Sequence, residues 1–435
     1  MSLDLLTAND RQGQYPPSYY AATATPLEPF PSLADDLTCD VCVVGGGYTG
    51  LSAALHLAQR GYDVVLLDAQ RVGFGASGRN GGQVGTGQRV DIDVLEKKVG
   101  ADVARILWDL SLESVALVRN LIDAHAMDVT FHPGIIEAAH TPHLAREFHD
   151  YAEYLHKTYG YDQVTPLTRG DILSLMDTRA YCGGSIDLGA GHIHPLRYAL
   201  GLARAAVGAG VRIFENSKVE AVSEGDPATV RTTDGRVTAN FVVLACNGYL
   251  GALNQLVATK VMPINNFIIA TEPLDEATAE GLISDNRAVA DSKFVVNYFR
   301  LSEDRRLLFG GGESYGYRFP KDIVATVSKP MLKIYPQLKS TRIDYAWGGT
   351  LGITMNRMPH FARLSSNVLT ASGYSGHGVA MATLGGKIAA EAIAGQAERF
   401  DVMANVPTPT FPGGATLRWP LLVAAMIWYG LRDRL

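Results

Sequence analysis

Residues 39–68 read CDVCVVGGGYTGLSAALHLAQRGYDVVLLD, and their spacing decides the fold. Cys39–Val44 is a short apolar run of strand length, and Gly45-Gly46-Gly47-Tyr48-Thr49-Gly50 follows as a turn. Leu51–Arg60 sets Leu51, Ala54, Leu55 and Ala58 on one helical face, and Gly61 is placed to stop it. Val64–Leu67 is a second buried strand that runs into Asp68. Strand, helix and strand in that order begin a parallel sheet. Gly45 allows the tight turn, Gly47 lets a backbone approach a pyrophosphate, and Gly50 lets the helix pack on the strand. The helix N-terminus offers unpaired N–H groups and a partial positive charge to phosphates. Asp68 lies 23 residues after Gly45, where a carboxylate accepts ribose hydroxyl protons and repels a 2′-phosphate. A lone GxGxxG is weak evidence. Set between a strand and a helix, with the acid at this distance, it predicts dinucleotide binding.

NAD and FAD both satisfy this motif, and three features favour FAD. The loop Gly73–Gln83 (GFGASGRNGGQ) follows the second strand closely, and a run of backbone N–H groups with Ser, Arg and Asn can wrap a long cofactor. Gly376-His377-Gly378 opens another helix, whose dipole suits the electron-rich edge of a reduced flavin. Gly73–Gly78 matches GxGxxG by letter, but no amphipathic helix and second strand follow. Electrons are therefore expected from a bound organic substrate rather than from NADH.

The chain has 435 residues, 47% hydrophobic and 19% charged, with a net charge of −6 and four cysteines. That excludes disorder, a disulfide scaffold and a basic nucleic-acid footprint. Its 45 glycines exceed the roughly 7% average only modestly. Residues 1–34 read as an extended arm, with Tyr15-Pro16-Pro17, Pro26, Pro29 and Pro31 discouraging helix. They contain no signal-peptide run, and a cytoplasmic location is expected. Residues 91–131 read as largely helical, and Pro195–Gly210 as a helix ended by glycine. Phe241–Ala245 and 366–371 read as strands, and Val379–Ala394 as a helix. Asn266–Thr271, Phe294–Leu301 and Arg306–Phe309 suggest antiparallel β-structure. The expected fold is α/β: a doubly wound, discontinuous Rossmann-like FAD-binding domain with an inserted antiparallel β-rich α+β substrate domain. The boundaries read 35–115, 190–255 and 343–400 for the first, and 116–189 and 256–342 for the second. A tail at 401–435 carries the apolar Trp419–Leu431 segment, too short to span a bilayer. That segment reads either as a helix packed on the protein or as a membrane-surface or dimer contact.

GASGRNGGQ, GHIHP, FVVLACNGYLG, WGGTLGITMNRMPH and ASGYSGHGVAMATLGGKIAAEAI follow the first motif in order. With them the chain resembles the FAD-dependent amine oxidoreductases of the D-amino-acid oxidase/glycine oxidase superfamily. Within it the likeness is to bacterial gamma-glutamylputrescine oxidoreductases. The resemblance implies FAD contacts from Gly45, Gly47, Tyr48, Gly50, Asp68, Ala69 and Arg71. It also implies them from Gly75, Ala76, Ser77, Arg79, Asn80, Gly81, Gly82 and Gln83. Val219 matches the position whose backbone meets adenine, and Cys246, Asn247 and Gly248 the adenosine half. Gly376, His377, Gly378 and Val379 match the pyrimidine edge. Sarcosine oxidases of this superfamily tether flavin to a cysteine in the C-terminal half. No Cys follows Cys246, so non-covalent FAD is expected.

The implied reaction removes a hydride from the carbon beside a neutral amine; the imine hydrolyses to aldehyde and ammonia, and dioxygen is reduced to hydrogen peroxide. Competing readings are an amino-acid or secondary-amine dehydrogenase that passes electrons to a quinone, and a flavin-binding protein without turnover. His377 is the best-placed ionisable group, either polarising the flavin edge or supporting its turn. Tyr298 and Arg300, at i and i+2 on one strand, share a face, and Tyr315 and Tyr317 repeat the spacing. They read as pocket walls or as ordinary sheet surface. Arg300 and Arg357 are candidate forks for a substrate carboxylate. Cys39 and Cys42 resemble a redox pair by letter, but on a strand i and i+3 point to opposite faces. His192 and His194 read as a turn before a helix rather than as metal ligands, and no metal is expected.

Overall fold

The computed structural model describes residues 4–223, 225–314 and 316–413. Tyr315 and Trp419–Leu431 lie outside the described residues. The opening motif folds as read: strand Asp36–Val44, helix Tyr48–Ala58, strand Val64–Leu67. These strands sit in a sheet of order 360–363, 368–372, 236–244, 36–44, 64–67, 212–214. Its central pairings are parallel, and a 228–231 and 221–223 ribbon extends from strand Arg236–Leu244. Central strand residues Val41–Val44 and Val64–Leu67 are all buried, as a parallel sheet covered on both faces requires. Helices Tyr48–Ala58 and Gly378–Ile393 pack closely against each other, so that a Cβ on Gly386 would lie 2.3 Å from the carbonyl oxygen of Thr49.

The second sheet has the order 343–353, 262–271, 307–314, 298–301, 288–291, 132–139, 183–192, 83–84, with 164–167 paired to 183–192. It is antiparallel except where Ala288–Asp291 runs parallel to His132–Ala139. Its outer face buries Ile136, Ile186, Phe299 and Phe309 beneath helices such as Ile323–Ile334.

Three local expectations change. Ile343–Ile353, expected with the first domain from its place in the chain, pairs along its whole length with Met262–Thr271 in the second sheet. Helix Ala101–Ala124 runs across the expected 115/116 boundary without a break. The N-terminal arm is not fully extended: Ser18 accepts from the Ala21 N–H and caps a helix at Tyr19–Thr23, which buries both tyrosines. The prolines flank that turn rather than fall inside it, so they do not forbid it.

Candidate active site

One cleft gathers residues from four separated segments. Gly45, Gly46, Gly47, Asp68, Ala69, Gly75, Ala76, Ser77, Val219, Cys246 and Asn247 line it, together with Leu6, Lys218 and Tyr249. Two glycines show why side chains are excluded here. Gly45 has φ +109°, and a Cβ on it would lie 2.8 Å from the Ala245 carbonyl oxygen. A Cβ on Gly50 would lie 1.8 Å from the Gly45 carbonyl oxygen, so helix and strand can meet only with glycine there. Asp68 accepts the N–H groups of Gly46 (2.6 Å) and Gln70 (2.7 Å). Burial raises its carboxyl to about 6 against those donors. Each carboxylate oxygen keeps acceptor capacity for a diol. The bare Gly45–Gly47 backbone beside a buried carboxylate fits the adenosine–pyrophosphate half of FAD. Cys246 donates its thiol to the Val44 carbonyl at 3.4 Å, and burial lifts its pKa to about 12. It is a wall, not a nucleophile. Gly248 backs that wall, since a Cβ there would meet the Leu351 carbonyl at 2.7 Å.

The wrapping loop is braced mostly by itself. Ser77 Oγ accepts the Tyr48 N–H at 3.0 Å, at the start of the first helix. The Tyr48 hydroxyl donates to the Pro195 carbonyl and accepts from Asn80 Nδ2, so it braces the loop. Asn80 donates to the carbonyls of Ala76 and Ser77 and accepts from the Gly82 N–H. Arg79 donates to the Phe74 and Gly348 carbonyls, pairs with Asp10 at 2.9 Å, and leaves Nη2 buried without a hydrogen-bond partner among the described residues. Arg71, expected at phosphate or adenine, is placed elsewhere. Its Nε lies 2.6 Å from Glu215 in a buried ion pair, off the hydrogen-bond line, and Nη2 donates to the Leu27 carbonyl. Glu215 is buried between the arm and the loop, and it captures the guanidinium.

Beyond Asn80 the loop meets the second sheet. Gln83 pairs with His192 through the backbone, and its side chain donates to the Val289 carbonyl. The Tyr298 ring covers Gly81, whose Cβ position lies 2.7 Å from it, and Gly310; its hydroxyl donates to Asn266 Oδ1. Arg300 shares that face as read, but it is not an open fork. Its guanidinium donates to the carbonyls of Gly81, Leu301 and Ile193 and to the Tyr20 hydroxyl. It clamps the sheet to the glycine loop, because backbone carbonyls reach it on three sides.

The C-terminal turn closes the other side. Asn247, at φ +47°, accepts the Gly373 N–H through Oδ1 and so ties the cleft to the turn Gly373–Gly376. His377 precedes helix Gly378–Ile393, of which Gly378 and Val379 are the first residues. Its ring lies against Gly85, whose Cβ position is 2.6 Å from Cε1, and Nε2 is buried without a hydrogen-bond partner among the described residues. Burial, and then the positive charge of Arg89, lower its pKa to about 4. At neutral pH it is an uncharged imidazole. Arg357 stands in a turn at φ +65°, with its N–H donated to the Thr354 carbonyl. Thr354 in turn meets Ser375, so this arginine is built on the same turn. The Tyr317 carbonyl accepts from Asn9 in the N-terminal segment.

His194 caps helix Pro195–Gly208 by accepting the Arg197 N–H, and His192 stacks on His132 at 4.9 Å. Cys39 and Cys42 are free thiols. Leu6, Lys218 and Tyr249 in the cleft wall and Asp10 against Arg79 were not legible. Leu6, Asp10 and Lys218 come from segments with no motif of their own, and Tyr249, although inside FVVLACNGYLG, carries no signal of its own there.

Comparison with known proteins decides the family. The family model for FAD dependent oxidoreductase (DAO) matches residues 40–392. The chain belongs to this family. It is therefore an FAD-dependent oxidoreductase, and FAD is its cofactor. It is 45% identical over 419 residues to gamma-glutamylputrescine oxidoreductase of Escherichia coli, which covers 96% of this chain and 98% of that one. Its fold matches the crystal structure of glycine oxidase from Geobacillus kaustophilus with a TM-score of 0.71 at 22% identity, over 83% of this chain and 95% of that one. L-proline dehydrogenase from P. horikoshii matches at 0.67 and 22%, over 85% and 94%. Among the described residues no helix is long and apolar enough to cross a membrane.

Proposed function

We propose that this enzyme oxidises the carbon–nitrogen bond of an amine, with gamma-glutamylputrescine or a related gamma-glutamyl or free polyamine as substrate. The products are an aldehyde, ammonia and, with dioxygen as electron acceptor, hydrogen peroxide. The observation that carries this reading is the 45% identity to gamma-glutamylputrescine oxidoreductase across nearly the whole of both chains. We place the reaction in the cytoplasm, which the low cysteine content suits.

FAD, when bound, supplies the hydride acceptor. This chain's residues bind and orient. Gly45, Gly47, Asp68, Ala69, Gly75–Ser77, Val219, Cys246 and Asn247 would hold the adenosine–pyrophosphate half. Gly81–Gln83 and Gly376–Val379 would flank the ring system, since the His377 ring lies against Gly85, two residues beyond Gln83. Tyr298 would wall the substrate side, because its ring covers the Gly81 backbone. His377, neutral at pH 7, would act through a hydrogen bond at Nε2 rather than through charge. The division of the chain at 35–115, 190–255 and 343–400 against 116–189 and 256–342 remains our proposal for the two functional halves, with Ile343–Ile353 lent to the second sheet.

Adding gamma-glutamylputrescine to the purified flavoprotein under nitrogen should bleach the visible flavin band, and admitting air should restore it with one equivalent of peroxide. Persistence of the band with every amine and gamma-glutamyl amine in a panel would remove this reading. Bleaching without reoxidation in air would point to a quinone acceptor.

A further inference from the structure

Residues 6–13 begin and end on one side chain. Gln70 is fully buried. Its Nε2 donates to the Leu6 carbonyl at 2.8 Å and to Gln12 Oε1 at 3.0 Å, and its Oε1 accepts the Gly13 N–H at 2.6 Å. One amide thus closes both ends of a compact loop of the Ω kind. Gln12 also donates to the Ala69 carbonyl, and Lys218, in the cleft wall, pairs with Asp4 at 2.5 Å just ahead of the loop. The tip is held separately. Asp10 pairs with Arg79 of the glycine loop at 2.9 Å, and both side chains are almost wholly buried. Asn9 donates to the Tyr317 carbonyl and accepts the Phe319 N–H, beyond strand Leu307–Ser314 of the second sheet.

Two contacts connect this loop with the cofactor cleft. Leu6 lines the cleft together with Val219, Leu250 and Leu253, an apolar set that suits the flat face of a base. Gln70 donates its own N–H to Asp68 Oδ1 at 2.7 Å, so the residue that clasps the loop also orients the acid expected at the ribose. The loop lies ahead of residues 40–392, which the family model matches, so it is an addition to the shared cofactor motif. The Asp10–Arg79 pair suits a reversible closure. Its desolvation cost offsets much of its attraction while it is buried, and that cost is recovered when the loop lifts and both charges meet water.

Resting on the placement of the adenosine half of FAD in this cleft, we infer that residues 6–13 are a strap over that half. Leu6 touches the adenine, and the Asp10–Arg79 pair is the latch. Gln70 holds both ends while the tip lifts, and lifting sets the rates at which FAD enters and leaves.

The test uses the full-length enzyme and its Asp10→Asn and Leu6→Ala variants, with the melting temperature of each. FAD release from the loaded enzyme is timed by chase with excess deaza-FAD, desalting and the visible spectrum of the protein. FAD uptake by the FAD-free protein is timed by stopped-flow flavin fluorescence. Asp10→Asn should speed both release and uptake roughly 10- to 100-fold, the range for losing a hydrogen bond between charged groups. General destabilisation would lower the melting temperature without speeding uptake, and unchanged rates in the folded variant overturn the strap. Leu6→Ala should speed release roughly tenfold and leave uptake nearly unchanged, since it loses only apolar contact with the bound cofactor; unchanged release would refute the adenine contact. Hydrogen exchange in wild type needs no variant. Peptides covering residues 4–14 should exchange roughly tenfold or more slowly once FAD is bound, and equal exchange overturns the proposal. Asp68→Asn separates the strap from the placement it rests on. If that variant keeps full FAD affinity, the adenosine half lies elsewhere and both readings fall. If it weakens FAD while the strap variants and the exchange show no effect, the placement stands and the strap alone falls.

Discussion

The cofactor cleft and the sheet face around Tyr298 are built in opposite ways. In the cleft, the working parts are mostly backbone. Gly45–Gly47 present bare peptide, Asp68 is held by two N–H groups, and the surrounding strands are wholly buried. On the sheet face, the working parts are side chains: the Tyr298 ring covers the Gly81 and Gly310 backbone, and the His377 ring lies against Gly85. Backbone recognition suits a cofactor that never changes and needs close approach. Side-chain recognition suits a substrate, whose identity can vary with a few residues on a fixed sheet.

The comparison breaks most violently at Gly50. A Gly50→Val substitution drives branched carbons into the Gly45 carbonyl, already 1.8 Å from a mere Cβ. Because helix and strand cannot separate without opening the sheet, no folded flavoprotein should be recovered, as read by soluble yield and flavin absorbance. Arg300 tests the seam between the two regions. Arg300→Gln removes a buried clamp with four acceptors and should cost on the order of 3 kcal/mol in urea unfolding. If Arg300 were instead a substrate fork, stability would hold and KM alone would rise.

What could be read in the sequence follows the same division. The first motif was legible because its parts are contiguous: a strand, three glycines, a helix and an acid at fixed spacing. Tyr298 and Arg300 were legible as a face, since strand periodicity places i and i+2 together, but not as a tyrosine lid beside a clamp. That difference depends on Gly81 and Ile193, more than a hundred residues away in the chain. Arg71 was misplaced because nothing local shows Glu215 buried beside it. Ile343–Ile353 is expected with the first domain from its place in the chain, but its partner, Met262–Thr271, is fixed by tertiary pairing rather than by order.

Asp68 sharpens the cofactor side. Its carboxyl titrates near 6 in the folded protein against about 3.9 in an unfolded chain. Between those values the native state binds more protons, so stability without FAD falls as pH rises through that window. Asp68→Asn removes this penalty. Above pH 6 the FAD-free variant should be more stable than wild type by on the order of 2 kcal/mol. FAD affinity should fall roughly 10- to 100-fold, since a charged acceptor for the ribose is lost. Thermal melts of FAD-free protein at pH 4.5 and 7.5, beside a flavin titration, check both signs. A variant that binds FAD as tightly as wild type would place the ribose elsewhere.

His377 stands where the two regions meet, and its predicted effect is the smallest and the most specific. With a pKa near 4, it does not change charge between pH 6 and 9. Any inflection of kcat in that range belongs to another group, such as the substrate amine. His377→Asn keeps a hydrogen-bonding side chain beside Gly85 while removing the imidazole. It should slow one flavin half-reaction roughly tenfold, below the 100-fold or more of a true acid or base, and leave the shape of the pH profile unchanged. Rapid-mixing measurements of reduction and reoxidation separate the two half-reactions. A lost pH limb in the Asn variant would show that His377 titrates in the working enzyme, and that FAD or substrate reverses the effect of burial on it. Unchanged rates in both half-reactions would reduce His377 to a support of the Gly85–Gly87 loop.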